Sequence, residues 1–554
     1  MSKKFENVRV VVGLDFGTTF SGFTYCHVED KQMSTNETWP GQLGQFKTNT
    51  VLEYDDDLDK VVLWGYPALT KRNLSPKLRI ELSVDYKIAI TDYLREIGKC
   101  VGETIDSRWD GMKLENVLFI LTVPAEYDDK AIRIMRECMN DAKLIDDLYS
   151  ERLQFTTEPE AAAIYCMENN LKEHDLTDSG TTFMIVDCGG GTVDLTTRKL
   201  LNRKQLGEVT ERTGDYCGST FIDKEFKNYL QHKLGKETMD LFEKEQYGQL
   251  QFMVQEFCEN AKLPFTGDET NFNYEMDLEE IPVLLKNYLN DDVKERLEKD
   301  ENVIKLDYET IKSMFDPIVE KIIKMISIQL DNSREKGSKP SIMFLVGGFS
   351  ESKYLQKRIK DAFQDHVDNI SVPQSPTATI SRGAAMYGLS LFSGEDPSIK
   401  KGSKSVIGSR VLKNTYGVDV LRPYSPGDPK ERVGFSFLGP STLYFNIIAK
   451  RGTVAKIDDV FPTTEGLTVR PGNPFQTVGE FDIYYTREYD AEFSNESGMK
   501  LLGKLKFYWD DAHLGFDRSV TFKLSFCEME ITATATNDLT GQNYHTYFEI
   551  NTEN

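Results

Sequence analysis

Residues 11–19 read VVGLDFGTT, an apolar stretch that ends in an aspartate and a turn of small residues. The arrangement returns far along the chain at residues 183–197, which read FMIVDCGGGTVDLTT. β-branched and aromatic residues follow each turn, so both stretches predict a strand, a turn and a second strand. A P-loop or a dinucleotide-binding turn opens a helix instead, and the pattern therefore excludes both.

The two turns have the composition of a phosphate site. Phosphates are bound by converging backbone N–H groups, and only small residues let the backbone come that close. One such hairpin alone is more often an ordinary glycine-rich turn, but two copies with matching aspartates favour a site built from both. Aspartates would repel a bare phosphate, so we expect Asp15 and Asp187 to hold a magnesium ion through its water shell.

Composition and charge limit the possible functions. The 554 residues exceed what one core usually supports, so we expect at least two domains. A net charge of −23 argues against binding to nucleic acids or to anionic membranes. There is no apolar run of the roughly 20 residues that span a membrane, and no signal-peptide cleavage site. Eight scattered cysteines without a C-x-x-C pair indicate reduced thiols in a cytoplasmic protein.

Strands and helices alternate around the two hairpins. The apolar stretch ENVLFILTVPAEY predicts a strand in a sheet covered on both faces, followed by an amphipathic helix. A helix is predicted from Thr157, which has capping-box spacing with Glu160, and another after SIMFLVGG with Ser350 as its N-cap. The small faces at Ala161–Ala163 and Gly383–Ala385 allow another backbone to approach closely. Most of residues 219–336 is predicted to be helical.

The composition changes at SGEDPSIKKGSKS, residues 393–405, where serine, glycine, lysine and proline replace apolar residues. This predicts a linker at 393–404. Beyond it, stretches such as EFDIYYTRE and SVTFKLSF alternate with period two between turn signals. They predict an antiparallel β-domain over residues 405–554, with no long helix after it.

Five segments occur in a fixed order: GLDFGTTFSGF, TVPAEYDDKAIRIMRECMNDAKL, TTEPEAAAIYC, VDCGGGTVDLT and FLVGGFSESKYLQKRIKDAF. Together they resemble the nucleotide-binding domain of the heat-shock 70-kDa chaperone family, which belongs to the actin-like ATPase superfamily. The wording of SRGAAMYGLS and SRVLKNTYGVDVL is most similar to the divergent heat-shock 70-kDa protein 12 branch. A weaker resemblance to the family's client-binding β-sandwich covers residues 405–554.

The resemblance implies a fold and domain boundaries. Residues 1–392 would form a two-lobed α/β ATPase domain of the actin-like type, with ribonuclease H-like halves. A linker at 393–404 would lead to a β-sandwich domain at 405–554. The family's helical lid is expected to be absent.

The resemblance also assigns site residues. The phosphates of ATP or ADP would be bound by Gly17, Thr18, Thr19, Gly189, Gly190, Gly191, Thr192 and Gly218. Asp15 and Asp187 would orient Mg²⁺ and its waters, and Asp194 and Glu158 would hold the water network. Lys87 is the candidate for the lysine near the γ-phosphate. The ribose and the adenosine would be contacted by Glu259, Lys262, Gly347 and Gly348.

The sequence departs from the family in two places that bear on the base. Leu263 replaces the arginine that follows the ribose-contacting lysine. Glu351 stands in the segment after Gly347 and Gly348, where the family has an arginine that stacks on the base. We therefore expect adenine to be bound differently from the way it is bound in common family members.

The implied activity is slow, magnesium-dependent ATP hydrolysis, which works by positioning and charge neutralisation. The nucleotide state would then change how the β-domain binds unfolded polypeptide, with or without co-chaperones. The alternative is a nucleotide-gated interaction module with negligible turnover. The β-domain argues against a sugar kinase of the same superfold, and the β-domain and the charge argue against an actin-like filament. Fold analogy alone does not decide between these functions.

Overall fold

A computed structural model describes residues 5–70, 84–278, 285–392, 406–436, 439–456, 459–462, 467–509, 512–526 and 531–546. The chain divides into two compact units. The first consists of Met1–Glu126, Ile134–Lys204 and Thr213–Asp396, and the second of Tyr127–Arg133, Gln205–Arg212 and Pro397–Asn554. The predicted linker at 393–404 lies outside the described residues, so the predicted domain boundaries stay a prediction.

Helices and strands are numbered here in chain order. The α-helices are α1 (Tyr66–Thr70), α2 (Tyr86–Arg108), α3 (Asp129–Asp141), α4 (Glu158–Glu173), α5 (Thr220–Leu234), α6 (Lys236–Glu245), α7 (Tyr247–Phe257), α8 (Asp291–Lys299), α9 (Tyr308–Glu335), α10 (Lys353–Phe363) and α11 (Thr379–Ser390). The strands are β1 (Val10–Phe16), β2 (Phe20–His27), β3 (Ser34–Thr35), β4 (Thr38–Trp39), β5 (Gln42–Leu43), β6 (Thr48–Asn49), β7 (Leu52–Tyr54), β8 (Val61–Trp64), β9 (Val117–Val123), β10 (Leu153–Thr157), β11 (Thr182–Cys188), β12 (Val193–Asn202), β13 (Gln205–Glu208), β14 (Thr213–Asp215), β15 (Asn273–Asp277), β16 (Val303–Asp307), β17 (Ile342–Val346), β18 (Asn369–Ser371), β19 (Ile407–Val411), β20 (Thr415–Pro423), β21 (Val433–Ser436), β22 (Gly439–Ala449), β23 (Val454–Lys456), β24 (Val460–Phe461), β25 (Leu467–Val469), β26 (Val478–Thr486), β27 (Lys500–Tyr508), β28 (Val520–Ser525), β29 (Thr532–Asn537) and β30 (Asn543–Thr546).

The two largest sheets with strands in the first unit are each built on one of the predicted hairpins. One sheet has the order β10-β9-β1-β2-β3, and the other begins β18-β17-β11-β12. β1 pairs antiparallel with β2 and parallel with β9. β11 pairs antiparallel with β12 and parallel with β17. The strand–turn–strand prediction is therefore confirmed at both places.

Asp15 and Asp187 occupy equivalent positions in these sheets. Each is the penultimate residue of the strand that enters its hairpin, and each strand is central because it has partners on both sides. β9 and β17 are buried along their whole length, as the apolar runs predicted. The two aspartates thus lie at matching ends of two similarly connected sheets.

The helices α4 and α11 pack together through small residues. A Cβ at Gly383 of α11 would overlap the carbonyl of Ala161 in α4. A Cβ at Gly13 of β1 would similarly overlap the Ser381 carbonyl of α11. The close approach predicted for these small faces is confirmed, and it brings α4 and β1 against the same helix.

The helical prediction for residues 219–336 is confirmed by α5 to α9. In the described residues the strand β15 precedes α8, and its antiparallel partner β16 follows α8. The stacked rings of Phe226 and Phe257, 4.2 Å apart, belong to the core that these helices share. The N-cap prediction for α10 was wrong. Residues 348–351 form a 3₁₀ turn in which Ser350 Oγ donates to the Val346 carbonyl, so Ser352 caps the helix instead.

The second unit contains two antiparallel five-stranded sheets. One has the order β21-β22-β20-β26-β27, and the other runs β24-β28-β29-β30 with β25 also paired to β28. Their facing side chains form one core, in which the rings of Phe481 and Phe522 lie 4.6 Å apart. The predicted antiparallel β-domain is confirmed as a β-sandwich. β13 also belongs to this unit and pairs in parallel with β19.

Within the described residues, no helix combines the length and the apolar character that a membrane crossing requires.

Candidate functional site

Four carboxylates converge in the first unit: Asp15, Glu158, Asp187 and Asp194. They lie near the end of β1, at the start of α4, near the end of β11 and near the start of β12. Their side chains belong to buried residues, with exposed fractions of 1%, 9%, 2% and 1%. Four acids in so little solvent repel one another strongly, because the interaction of charges grows as the local dielectric constant falls.

Burial and this repulsion together change the pKa of two of the acids. Burial, and then the charges of Asp187, Asp15 and Asp194, raise the pKa of Glu158 well above its ordinary value. Burial, followed by Asp194 and Asp15, likewise raises the pKa of Asp187. The site therefore favours either protons or a bound cation.

Lys47 provides a cation at this site. Its Nζ lies 2.6 Å from Asp15 Oδ2, and the lysine side chain is 15% exposed. Burial lowers the pKa of Lys47, but Asp15, Glu158 and Asp187 outweigh that effect and raise it above the ordinary value. Lys47 was not predicted from the sequence because it lies in a loop before β6, where no periodic pattern or motif marks it.

Lys87, the lysine selected from the sequence, is not brought to these carboxylates. It lies in the first turn of α2, is 38% exposed, and its Nζ is 3.4 Å from Glu137 Oε2. Its role near a γ-phosphate stays a prediction, and Lys47 is the lysine in contact with the carboxylates.

The two hairpin turns meet each other. A Cβ at Gly190 would overlap Thr19 Oγ1, and one at Gly191 would lie 3.2 Å from Thr18 Oγ1. The residues Gly17, Gly189 and Thr192 complete the two turns, and Gly189 N donates to Thr192 O at 2.9 Å. Only glycine lets the second turn lie this close to the threonines of the first.

The glycine turn is braced from the other side by the start of α5. Gly218 N donates to Gly191 O at 3.1 Å, and Thr220 N donates to Gly190 O at 2.9 Å. A Cβ at Gly218 would overlap the Gly190 carbonyl. These contacts hold the turn's carbonyls, so its shape does not depend on a ligand.

Two further glycines border the acids. Gly347 has φ +83°, and a Cβ there would overlap Asp187 Oδ1. The next residue, Gly348, is less crowded, since a Cβ there would have its nearest neighbour at 3.7 Å. Gly214 was not selected from the sequence. A Cβ there would lie 2.5 Å from Asp194 Oδ1, whose carboxylate also accepts from the Ala125 N–H at 3.0 Å.

Lys262 and Glu259 lie on a π-helical turn, Cys258–Lys262. Lys262 is 7% exposed and donates through Nζ to Asp223 Oδ1 at 2.6 Å and to the Ser219 carbonyl at 2.8 Å. Glu259 Oε1 accepts from Gln255 at 3.1 Å. Ser219 N donates to Gly189 O, so Lys262 is linked to the glycine turn through the start of α5. The ribose roles of both residues stay predictions.

The donor set fits a hydrated magnesium ion. Both carboxylate oxygens of Asp187 and the hydroxyl of Thr19 are buried without a hydrogen-bond partner in the described part of the chain. Such atoms are costly unless something binds them. The described residues contain no group of three or more His, Cys, Asp or Glu able to hold a metal ion. An oxygen-only set with one or two carboxylates and several waters is the coordination that magnesium favours.

Comparisons with known proteins agree with these motifs. Residues 177–372 match a family model described as a domain of unknown function (DUF8340). Human heat shock 70 kDa protein 12A is 24% identical over 96% of this chain and 90% of its own length, and human heat shock 70 kDa protein 12B is 23% identical over 95% and 89%. The chaperone protein DnaK of Methanothermobacter thermautotrophicus is 29% identical over 49% of this chain and 40% of its own.

This homology implies an actin-like ATPase unit followed by a β-sandwich, and the two hairpin-based sheets and the sandwich agree with it. The matches to the 12A and 12B proteins extend over almost the whole chain. The match to the chaperone protein DnaK covers about half of it. Over most of its length the chain is similar to the 12A and 12B proteins of the heat-shock 70-kDa family.

Proposed function

We propose that this protein binds ATP and ADP with Mg²⁺ at the four-carboxylate site and hydrolyses ATP slowly. The observation that carries the proposal is the pair of facing hairpin turns, each with a buried aspartate at the same position. The two unpartnered oxygens of Asp187 and the contact of Lys47 with Asp15 support it further. A divalent cation would offset the negative charge of the four acids. A polyphosphate would in turn offset the positive charge of that cation and of Lys47.

The phosphates would lie between the two turns. Thr18 and Thr19 present hydroxyls from one side, and Gly190 and Gly191 present backbone from the other. Gly218 supports the second turn through its bond to Gly191 O. Gly17, Gly189 and Thr192 complete this set. Small residues at every one of these positions allow the backbone to approach an anion.

The acids would divide the remaining work. Bound magnesium would neutralise phosphate charge, and Asp15 and Asp187 would hold its water shell. Glu158 and Asp194 lie beside them and would accept hydrogen bonds from the attacking water, which positions it. Lys47 would contact the transferred phosphate in the role that the family resemblance gives to Lys87. Catalysis of this kind is positioning plus electrostatic stabilisation.

The sandwich of the second unit is proposed to bind extended or unfolded polypeptide, with its affinity set by the nucleotide. Homology to the chaperone protein DnaK supports this role. The unit also exposes large apolar side chains, including Phe475 at 83%, Tyr489 at 55% and Tyr508 at 50%. Co-chaperones, a cytoplasmic location and the absence of a lid remain predictions from the resemblance.

A nucleotide-gated interaction module with negligible turnover is the second candidate. This candidate is favoured by the two places where the sequence departs from the family near the expected base. Leu263 is 53% exposed, and Glu351 stands in the segment where the family has an arginine. Such a protein would bind nucleotide without a rate that responds to a client. Single-turnover hydrolysis with and without an unfolded polypeptide separates the two candidates.

Asp187→Asn tests the site itself. The substitution keeps the shape but removes a buried charge beside the expected magnesium, so we expect single-turnover hydrolysis to fall by about 10²–10³-fold, as when one preorganised electrostatic group is lost. Asp331→Asn is the control, because Asp331 is 63% exposed and pairs only locally on α9 with Arg334. Hydrolysis that is equal in Asp187→Asn and wild type would refute the role of Asp187. Calorimetric binding of Mg·ADP without hydrolysis in the wild type would favour the second candidate.

A further inference from the structure

A row of buried polar side chains runs along one face of β12. Asp194, Thr196 and Arg198 alternate along the strand, so their side chains point to the same face. Their exposed fractions are 1%, 0% and 0%. Arg198 Nε donates to Thr196 Oγ1 at 3.0 Å. A fully buried guanidinium is costly unless it is paired, so the partner of Arg198 is informative.

That partner is Glu160 in the first turn of α4. Arg198 Nη2 lies 3.5 Å from Glu160 Oε1, and both side chains are fully buried. Glu160 Oε2 accepts from the Thr156 hydroxyl at 2.9 Å, and the Glu160 N–H donates to Thr157 Oγ1 at 3.3 Å. The carboxylate is therefore held by the end of β10 and by β12, and the helix cap holds the Glu160 backbone.

The pair joins two elements that each carry a site carboxylate. Glu160 is two residues from Glu158, at the start of the same helix. Arg198 is four residues from Asp194, on the same face of the same strand. A buried ion pair tolerates little displacement, because moving one charge leaves the other without a partner. The position of α4 relative to β12 is thus determined next to the acids that face the phosphates.

We propose that Arg198 and Glu160 are positioning residues of the phosphate-binding site, which hold Glu158 and Asp194 in register through their buried ion pair. The inference rests on the proposed function. Neither residue touches the nucleotide. The pair acts from behind the acids and, being neutral overall, leaves the charge of the acidic cluster unchanged.

This role has an electrostatic signature that a purely structural pair lacks. The charged groups facing Glu158 are Asp187 from β11, Asp15 from β1, Asp194 from β12 and Lys47 from the loop before β6. Glu160→Gln removes the negative partner of Arg198, and the remaining buried guanidinium favours the ionised form of Glu158. Arg198→Met leaves an extra buried acid, which favours the protonated form. The two variants should therefore change the titration of Glu158 in opposite directions.

The test is calorimetric binding of Mg·ADP to the full chain from pH 5 to pH 8 in buffers of different ionisation enthalpy. The divalent cation favours ionised carboxylates, so the pH midpoint of proton release on binding reports how firmly Glu158 holds a proton in the free protein. We expect the midpoint to fall in Glu160→Gln and to rise in Arg198→Met. Each shift should be roughly one pH unit, the lower end of what one nearby unit charge does to the pKa of a carboxylate.

Two variants separate charge from folding. Arg198→Lys keeps the cation and should keep the wild-type midpoint, and Glu160→Gln combined with Arg198→Met removes both charges and should return the midpoint towards wild type. Arg136→Met is the matched control, because Arg136 is a buried arginine of the same unit that donates to the carbonyls of Ser150 and Leu153. It should lower stability without moving the midpoint.

The outcomes are distinct. Opposite shifts support the inference, and unchanged midpoints in Glu160→Gln and Arg198→Met overturn it while the proposed function stands. If Arg198→Met does not fold, a lowered midpoint in Glu160→Gln together with an unchanged one in Arg198→Lys supports it, and any other combination overturns it. A wild-type chain that binds no Mg·ADP overturns the proposed function, and this inference with it.

Discussion

Replacing Lys47 with methionine tests the charge balance of the site. Lys47 Nζ lies 2.6 Å from Asp15 Oδ2, and the two side chains are 15% and 2% exposed. Methionine keeps much of the aliphatic length but removes the ammonium group. The four acids therefore lose the positive charge that Lys47 provides. Breaking a buried ion pair by removing one partner costs about 3–5 kcal/mol.

The acids limit this loss by taking up a proton. A glutamate with the ordinary pKa of 4.5 costs about 4 kcal/mol to protonate at pH 7.5 and about 1.4 kcal/mol at pH 5.5, at 1.36 kcal/mol per pH unit. Burial and the neighbouring acids raise the pKa of Glu158, so these values are upper limits. We expect a loss of about 2–4 kcal/mol at pH 7.5 that shrinks to about 1 kcal/mol at pH 5.5.

The assay is urea unfolding of the full chain without magnesium at both pH values, followed by tryptophan fluorescence, because three of the four tryptophans lie in the first unit. Lys339→Met is the matched control. Lys339 pairs with Asp368 at 3.3 Å with both side chains more than half exposed, so we expect a loss of about 0–1 kcal/mol. A loss in Lys47→Met no larger than the control, or one independent of pH, would refute the reasoning.

Three further predictions follow from the same geometry. Burial and neighbouring acids raise the pKa of Glu158 and of Asp187 in the folded protein, so the folded state binds more protons than the unfolded state. Without magnesium, the free energy of unfolding should therefore rise as pH falls from 7.5 towards 5.5. In Asp187→Asn this rise, measured by urea denaturation, should be shallower. Gly383→Ala should cost about 1–3 kcal/mol or more by overpacking, measured by urea unfolding, whereas Gly348→Ala should cost less because its nearest neighbour is 3.7 Å away. Gly190→Ala should weaken Mg·ADP binding at least about tenfold by calorimetry, and unchanged affinity would contradict the contact between the two turns.

The hairpins were predictable because their signal is local. A continuous apolar run that ends in an acid and a small-residue turn describes a strand and its turn within about ten residues. The same holds for β9, α4 and the strands of the sandwich. The N-cap of α10 was missed because the 3₁₀ turn at Gly348–Glu351 depends on the positive φ of Gly347.

The lysine of the site was not predictable in the same way. Lys47 lies in a loop without periodicity, and only the folded chain brings its ammonium to Asp15. Lys87 carries a similar charge but lies on the first turn of α2 beside Glu137. Nothing within either stretch of sequence distinguishes a lysine that reaches the acids from one that does not.

By itself, the sequence determined the two hairpins, the position of an aspartate at the end of each, the small residues of the turns and the change to period-two patterning in the last part of the chain. These features are set by backbone geometry and by burial over short distances. The tertiary structure alone decided that Lys47 meets Asp15, that Arg198 is buried against Glu160, and that residues 127–133 and 205–212 belong to the second unit. The physical reason is that charge pairing and packing depend on distances between residues far apart in the chain, which no local pattern encodes.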